Sequence, residues 1–217
     1  MTKAKVFLVE DHPITRRGLT QLIDGQVDMQ VCGWAEDAAG AIRGIDESKP
    51  ALVVADLSLK GIDGLEFIKQ VRQKSPGLYV LIFSMHDESL YAQRALRAGA
   101  RGYIMKAEAP EKLLTAVRKT LRGEIYLSEG ESARALANLF GSSAVSPKLP
   151  IEQLSDRELE VFRRIGEGCN TREIAECLHL SVKTVETHCS HIKTKLKVKN
   201  SRELARQAVL WLDRDGR

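Results

Sequence analysis

The stretch Lys5-Val6-Phe7-Leu8-Val9-Glu10-Asp11-His12-Pro13 decides the fold. A compact apolar run is stopped by two carboxylates. Pro13 then opens a helix, where its missing N–H costs nothing because first-turn N–H groups have no intrahelical partner. Strand, acidic turn and helix make one βα unit, and the pattern recurs down the chain. Further strands are expected at Met29–Trp34, Ala51–Ala55, Leu78–Phe83 and Gly102–Met105. Helices are expected at Asp37–Ser48, Gly64–Lys74, Asp87–Arg97 and from Pro110, the last with Leu113, Leu114, Val117 and Leu121 on one stripe. Strands such as Ala51-Leu-Val-Val-Ala55 are apolar throughout, so both faces are buried. That predicts a doubly wound five-stranded parallel sheet, whose functional crevice lies at the carboxyl ends of the strands.

The pattern ends near residue 125. Residues 126–150 collect Gly, Ser and Pro around a partial helix at Ser132–Phe140, and are expected to be a linker. From residue 151 to 217 only helical periodicity returns. Ser155 and Glu158 form a capping box, and Leu159, Phe162 and Ile165 follow as an apolar stripe. A short helix Thr171–Leu178, a turn at His179-Leu180, a longer helix capped by Ser181 and running to Leu196, and a last helix capped by Ser201 complete a four-helix, all-α domain of helix-turn-helix pattern.

At 217 residues and 43% hydrophobic content the chain can build two cores. Its apolar runs are too short to span a bilayer, and the N-terminus lacks the apolar core of a secretory signal. Cys32, Cys169, Cys177 and Cys189 show no metal-type spacing; with His188 and His191 they fit no zinc-finger pattern, and they are expected to be reduced thiols of a cytoplasmic protein. The net charge of +4 is mild, but Lys183–Arg202 holds six basic residues and one acid, whereas Ile151–Val182 carries −3. Positive charge focused on one short segment suits a phosphate-bearing partner.

Two sites follow. Glu10 and Asp11 end strand one and Asp56 ends strand three, two strands expected to be neighbours. Three converging carboxylates repel unless a cation joins them, and Mg²⁺ suits such a set, with the backbone carbonyl of Ser58 as a further ligand. Strand four ends at Ser84 and strand five at Lys106. A carboxylate, a metal, a hydroxyl and an ammonium at one crevice suit phosphoryl transfer: Asp56 attacks in line, and Ser84 and Lys106 hold the equatorial oxygens. In the helix Ser181–Leu196, Val185, Cys189, Ile192 and Leu196 form a buried seam. The opposite face carries Lys183, Thr187, Ser190 and Thr194, flanked by Thr184, Glu186 and His191. Short hydroxyl side chains and lysine let a helix approach base edges of double-stranded DNA, while Lys193, Lys195, Lys197 and Lys199 suit phosphates. Glu186 fits either a cytosine amine or a pairing within the helix.

Glu10-Asp11-His12-Pro13, Asp56, Ser84, Tyr103 and Lys106 resemble the receiver domain of two-component response regulators. Leu154-Ser-Asp-Arg-Glu-Leu-Glu-Val, Lys183-Thr-Val-Glu-Thr-His and Lys195-Leu resemble the LuxR-type helix-turn-helix. In that order the chain resembles the NarL/FixJ family. The resemblance implies a flavodoxin-like receiver of strand order 2-1-3-4-5 at 1–125 and a DNA-binding domain at 151–217. It implies that Asp56 accepts a phosphoryl group from a sensor histidine kinase, with Glu10 and Asp11 as the metal pocket and Ser84 and Tyr103 as the switch pair. It also implies that phosphorylation frees an occluded DNA-reading helix and favours a homodimer. The last helix, with Leu204, Ala208 and Trp211 flanked by Ala205, Val209 and Leu212, suits either a dimer surface or internal packing. One departure is Ala107, where receivers often carry proline. Two rivals exist. An aspartate-based phosphatase would need a second acid two residues after Asp56, where Ser58 stands. A phosphorylation-independent DNA-binding protein would not need the acidic pocket. The expectation is therefore a transcription regulator and not an enzyme.

Overall fold

A computed structural model describes residues 2–59, 62–139, 150–178 and 180–215. They divide into two units, Met1–Phe140 and Gly141–Arg217. In the first unit, strands β1 (Ala4–Val9), β2 (Met29–Ala35), β3 (Leu52–Ala55), β4 (Tyr79–Ser84) and β5 (Gly102–Met105) alternate with helices α1 (Pro13–Asp24), α2 (Ala38–Ser48), α3 (Gly64–Lys74), α4 (Glu88–Ala98) and α5 (Pro110–Leu121). The strands form one parallel sheet in the order β2-β1-β3-β4-β5, as expected from the sequence. Val6, Leu8, Leu52, Val54, Leu81 and Ile104 bury one face of it against Leu19, Ile23, Leu113 and Val117 of α1 and α5.

Register carries the functional consequence. Val9 lies opposite Ala55 in the β1–β3 pair, and Ser84 opposite Met105 in the β4–β5 pair. The strand ends therefore meet at one rim, with Glu10 beside Asp56 and Ser84 next to the exit of Lys106. The Asp56 amide donates to the Val9 carbonyl at 3.0 Å, which continues the ladder up to the phosphoacceptor candidate itself.

The chain does not leave this unit at residue 125. Tyr126 bridges Gly102 on the open edge of β5, the Tyr103 amide donates to the Tyr126 carbonyl, and α6 (Glu129–Leu139) lies against α4. The Ser128 amide donates to the buried Glu88 carboxylate at 2.8 Å and Arg134 Nη1 to the Ser89 carbonyl at 3.2 Å. The helix begins three residues before the expected Ser132, because Ser128 accepts from the Glu131 amide and starts the helix across Gly130. The rest of the expected linker, residues 140–149, and Phe140 with it, lies outside the described residues, as does His179 of the expected turn.

In the second unit a 3-10 turn (Pro150–Gln153) precedes α7 (Asp156–Gly166), α8 (Thr171–Cys177), α9 (Val182–Leu196) and α10 (Ser201–Asp215). Capping fixes the starts. Ser155 and Glu158 form the expected box, Asn170 and Glu173 form another, and Ser181 accepts from the Thr184 amide at 3.1 Å. Leu204 and Ala208 of α10 are buried, and Trp211 meets Phe162 of α7 at 5.6 Å between ring centroids. Internal packing thus uses one face of α10; Val209 and Leu210 on another face stay about half exposed.

Two glycines give opposite expectations. A Cβ on Gly64 would lie 2.5 Å from the Leu57 backbone, just after Asp56, whereas one on Gly18 in α1 meets nothing. Gly64→Ala should destabilise the first unit by about 1–3 kcal/mol. Gly18→Ala should stabilise it by about 0.5–1 kcal/mol. Urea unfolding in a Trp211→Phe background, with Trp34 as the fluorophore, measures both; equal effects of the two substitutions would contradict the close approach at Gly64.

Candidate functional site

The acidic residues expected to converge do so. Glu10 and Asp56 are 1% and 4% exposed, and Lys106 reaches both, with Nζ 2.6 Å from Glu10 Oε2 and 2.9 Å from Asp56 Oδ2. Burial works against the Lys106 charge, but the field of Asp56 and the hydrogen bonds to both carboxylates outweigh it and hold the ammonium above its ordinary value. Ala107 in place of proline does not displace Lys106 from this position. One ammonium among three carboxylates leaves the pocket negative. Ligand atoms of Glu10, Asp11, His12 and Asp56 lie within 4.8 Å of one another, and Asp56 Oδ1 is buried with no hydrogen-bond partner. An orphaned carboxylate oxygen in a hard-oxygen cluster fits a divalent cation.

Ser84 and Tyr103, the expected switch pair, are both fully buried and meet at one residue that the sequence reading did not single out. The His86 amide donates to Ser84 Oγ at 3.3 Å, and the Tyr103 hydroxyl donates to the His86 carbonyl at 2.9 Å. The His86 ring lies 3.0 Å from Ser58 Oγ and stacks on Tyr91 of α4 at 4.9 Å. Ser58 is thus engaged through its hydroxyl. Its place two residues after Ser84, at a strand end, was the available signal for His86. Arg16 was also missed. It donates to the Glu10 carbonyl at 2.8 Å, pairs with Glu36 at 3.1 Å and stacks over Trp34 at 4.1 Å, so it clamps the acidic turn from outside.

On α9, Lys183, Glu186, Thr187, Ser190 and Thr194 are exposed, opposite buried Val185 and Ile192; Thr184 and Lys193 are half-buried. Thr187 and Thr194 donate their hydroxyls to carbonyls four residues back, leaving oxygen lone pairs and methyl groups outward. Lys195 turns instead toward Glu158 of α7, while His191 stays exposed near the same carboxylate. Lys195 Nζ sits 2.6 Å from Glu158 Oε2 and His191 Nδ1 3.7 Å from Glu158 Oε1. The sequence places Lys195 in a lysine run, but the fold commits it to a buried carboxylate.

Residues 6–118 match the response regulator receiver domain and residues 152–208 the luxR family of bacterial regulatory proteins. The chain belongs to the NarL/FixJ family of response regulators. It is 38% identical over 210 residues to the oxygen regulatory protein NreC of Staphylococcus haemolyticus, covering 94% of this chain and 96% of that one. It resembles, at a TM-score of 0.72 and 25% identity, RcsB of Salmonella enterica serovar Typhimurium bound to the promoter rprA in the presence of the phosphomimetic BeF3⁻, covering 94% and 98% of the two chains. A structure of two RcsB dimers on two parallel DNAs is similar at a TM-score of 0.70 and 25% identity, covering 94% and 98%. The family consists of DNA-binding transcription regulators and not enzymes, which removes the phosphatase rival. Among the described residues of this response regulator, no helix is long and apolar enough to cross a membrane.

The Glu158–Lys195 pair generates a pH expectation. Burial raises the Glu158 carboxyl, but the hydrogen bonds from Lys195 and Ser155 bring it below its ordinary value. A carboxylate lowered in the folded state stabilises fully above its unfolded value, and that stability is lost as pH falls through the folded one. Glu158→Gln keeps the capping box and removes the charge. It should cost the second unit about 1 kcal/mol at neutral pH and flatten the acid side of its stability profile, read by Trp211 fluorescence in a Trp34→Phe background. An unchanged acid slope would show the pair to be energetically silent.

Proposed function

We propose that Asp56 accepts a phosphoryl group from the phosphohistidine of a sensor histidine kinase, and that this controls DNA binding through α9. An Asp56 carboxylate oxygen bonds to phosphorus, the phosphorus–nitrogen bond to the kinase imidazole breaks, and the imidazole leaves with the electron pair. The observation that carries the reading is the buried Asp56, held by Lys106 through Oδ2 while Oδ1 has no partner. Glu10, Asp11, Asp56 and the Ser58 carbonyl would hold Mg²⁺, which neutralises charge developing on the phosphoryl oxygens. Lys106 and Ser84 then take equatorial oxygens. As the Ser84 hydroxyl turns to the phosphoryl group it gives up the His86 amide, and the Tyr103 hydroxyl, bonded to the same residue, feels the change.

The output is a homodimer on double-stranded DNA in the cytoplasm, with the resting receiver occluding the reading helix. Lys183, Thr184, Glu186, Thr187, Ser190 and Thr194 form the base-facing side, and Lys193, Lys197 and Lys199 the phosphate contacts. Lys195 and His191 position α9 through Glu158. The exposed Val209 and Leu210 of α10 suit the dimer contact.

Acetyl phosphate with Mg²⁺ should add one phosphoryl group, and Asp56→Asn should abolish it; undiminished labelling of that variant at the same site ends the proposal. Ser84→Ala should accept the phosphoryl group yet leave DNA affinity at its unphosphorylated level. For DNA, a salt titration on target and random duplexes separates roles. Lys199→Ala should weaken both about equally and flatten the log–log slope by roughly one. Ser190→Ala should change base preference by roughly 1–3 kcal/mol. The reverse pattern would rotate the reading face of α9.

A further inference from the structure

We propose that α6 is a releasable strap: its seat on α4 buries the Glu131 carboxyl on the side of Asp87 and Glu88, and the helix leaves α4 as that carboxyl ionises. The inference concerns the last helix of the first unit and stands apart from the phosphoryl chemistry.

The seat is held by polar contacts and little apolar surface. The Ser128 amide donates to Glu88 Oε1 at 2.8 Å just before the helix begins. Arg134 Nη1 spans the seam, donating to the Ser89 carbonyl at 3.2 Å and lying 3.4 Å from Glu131 Oε1. Among the described side chains of α6, the one large apolar group is Leu136, and it is 55% exposed. A helix that buries so little hydrocarbon belongs to the weakly held end of a fold, where local opening costs far less than global unfolding.

Glu131 works against the seat. It is 9% exposed, and its Oε2 is buried with no hydrogen-bond partner. A buried acceptor left unmatched is costly, and more so when it is charged. From α4 two further acids face it: Glu88, itself buried, and Asp87, the N-cap of that helix. From α6 the facing charge is Arg134, at the long distance given above. Burial pushes the Glu131 carboxyl up, Arg134 draws it back, and Glu88 and Asp87 add to the rise, so that it stands above its ordinary value. A carboxyl raised in the docked state supports docking fully below its free value, and that support is lost as pH rises through the docked one. The strap is therefore tightest in acid and loosest above neutrality, opposite to the Glu158–Lys195 pair of the second unit.

Hydrogen exchange of the full chain, read by mass spectrometry as protection factors from about pH 5 to about pH 8, measures the opening of α6 directly. Peptides of β1 and β3 report the sheet in the same samples. Protection of α6 should fall as pH rises while that of β1 and β3 holds. Glu131→Gln keeps the shape and supplies an amide that can donate to the neighbouring carboxylates. It should raise α6 protection at neutral pH by roughly fivefold or more, the low end of what an unsatisfied buried polar group costs, and should abolish the pH dependence. Asp87→Asn, which keeps a preferred N-cap residue, should make the fall smaller. Protection of α6 that is flat across the range, that falls in step with β1 and β3, or that keeps its pH dependence in Glu131→Gln overturns the proposal.

Discussion

Two buried carboxylates, Glu10 and Asp56, share one ammonium, and the first unit is arranged around that triangle. Unpaired, either acid would carry the desolvation penalty of a buried charge. Lys106 offsets part of it from the far end of the sheet's sequence, fifty residues beyond Asp56 and ninety-six beyond Glu10. The contact therefore exists only if the four strands β1, β3, β4 and β5 reach the correct order and register. One residue of slip in β3 would turn Asp56 to the other face of the sheet. The remaining negative charge is what a divalent cation would neutralise.

The surroundings fix the triangle from several directions. Arg16 holds the Glu10 carbonyl and is itself held by Glu36 and the Trp34 ring. Gly64 lets α3 descend onto Leu57, next to Asp56. His86 gathers Ser58, Ser84, Tyr103 and Tyr91 into one contiguous set that runs from the acidic pocket to α4. On the same helix Glu88 accepts the Ser128 amide at the root of α6. Contacts thus run without a break from the acidic pocket through α4 to the start of α6.

What the sequence revealed and what it hid follow from the range of each interaction. The strands, the acids at their ends and the seam of α9 were legible because period, burial and strand termini are local signals; the strand order came from the resemblance to receivers. The bond between Lys106 and Glu10 was not, because it depends on a register that no window of sequence contains; the rule that parallel strands end at one crevice brought the two to a shared rim without pairing them. Glu158 was legible as a cap but not as the partner of Lys195, thirty-seven residues away. A lysine run looks uniform in sequence, and the fold makes it heterogeneous. The segment after residue 125 looked like a linker because Gly130 interrupts the helical pattern, yet Tyr126 adds to the sheet edge and Ser128 starts α6 regardless.

Lys106 also ties chemistry to movement. In the structure its ammonium donates to Glu10 Oε2 at 2.6 Å and to Asp56 Oδ2 at 2.9 Å. On the proposed reading, a phosphoryl group on Asp56 would make an acyl phosphate, removing charge from the carboxylate that Lys106 holds and offering three more strongly charged oxygens further from the backbone. The ammonium then has better partners outward than inward. It sits on the loop that joins β5 to α5, and its own amide donates to the Ser84 carbonyl at 2.7 Å. On the proposed reading, Lys106 and Ser84 would both be drawn toward the same phosphoryl group from neighbouring strand ends. One backbone hydrogen bond joins the two residues, so such movements would be coupled rather than independent.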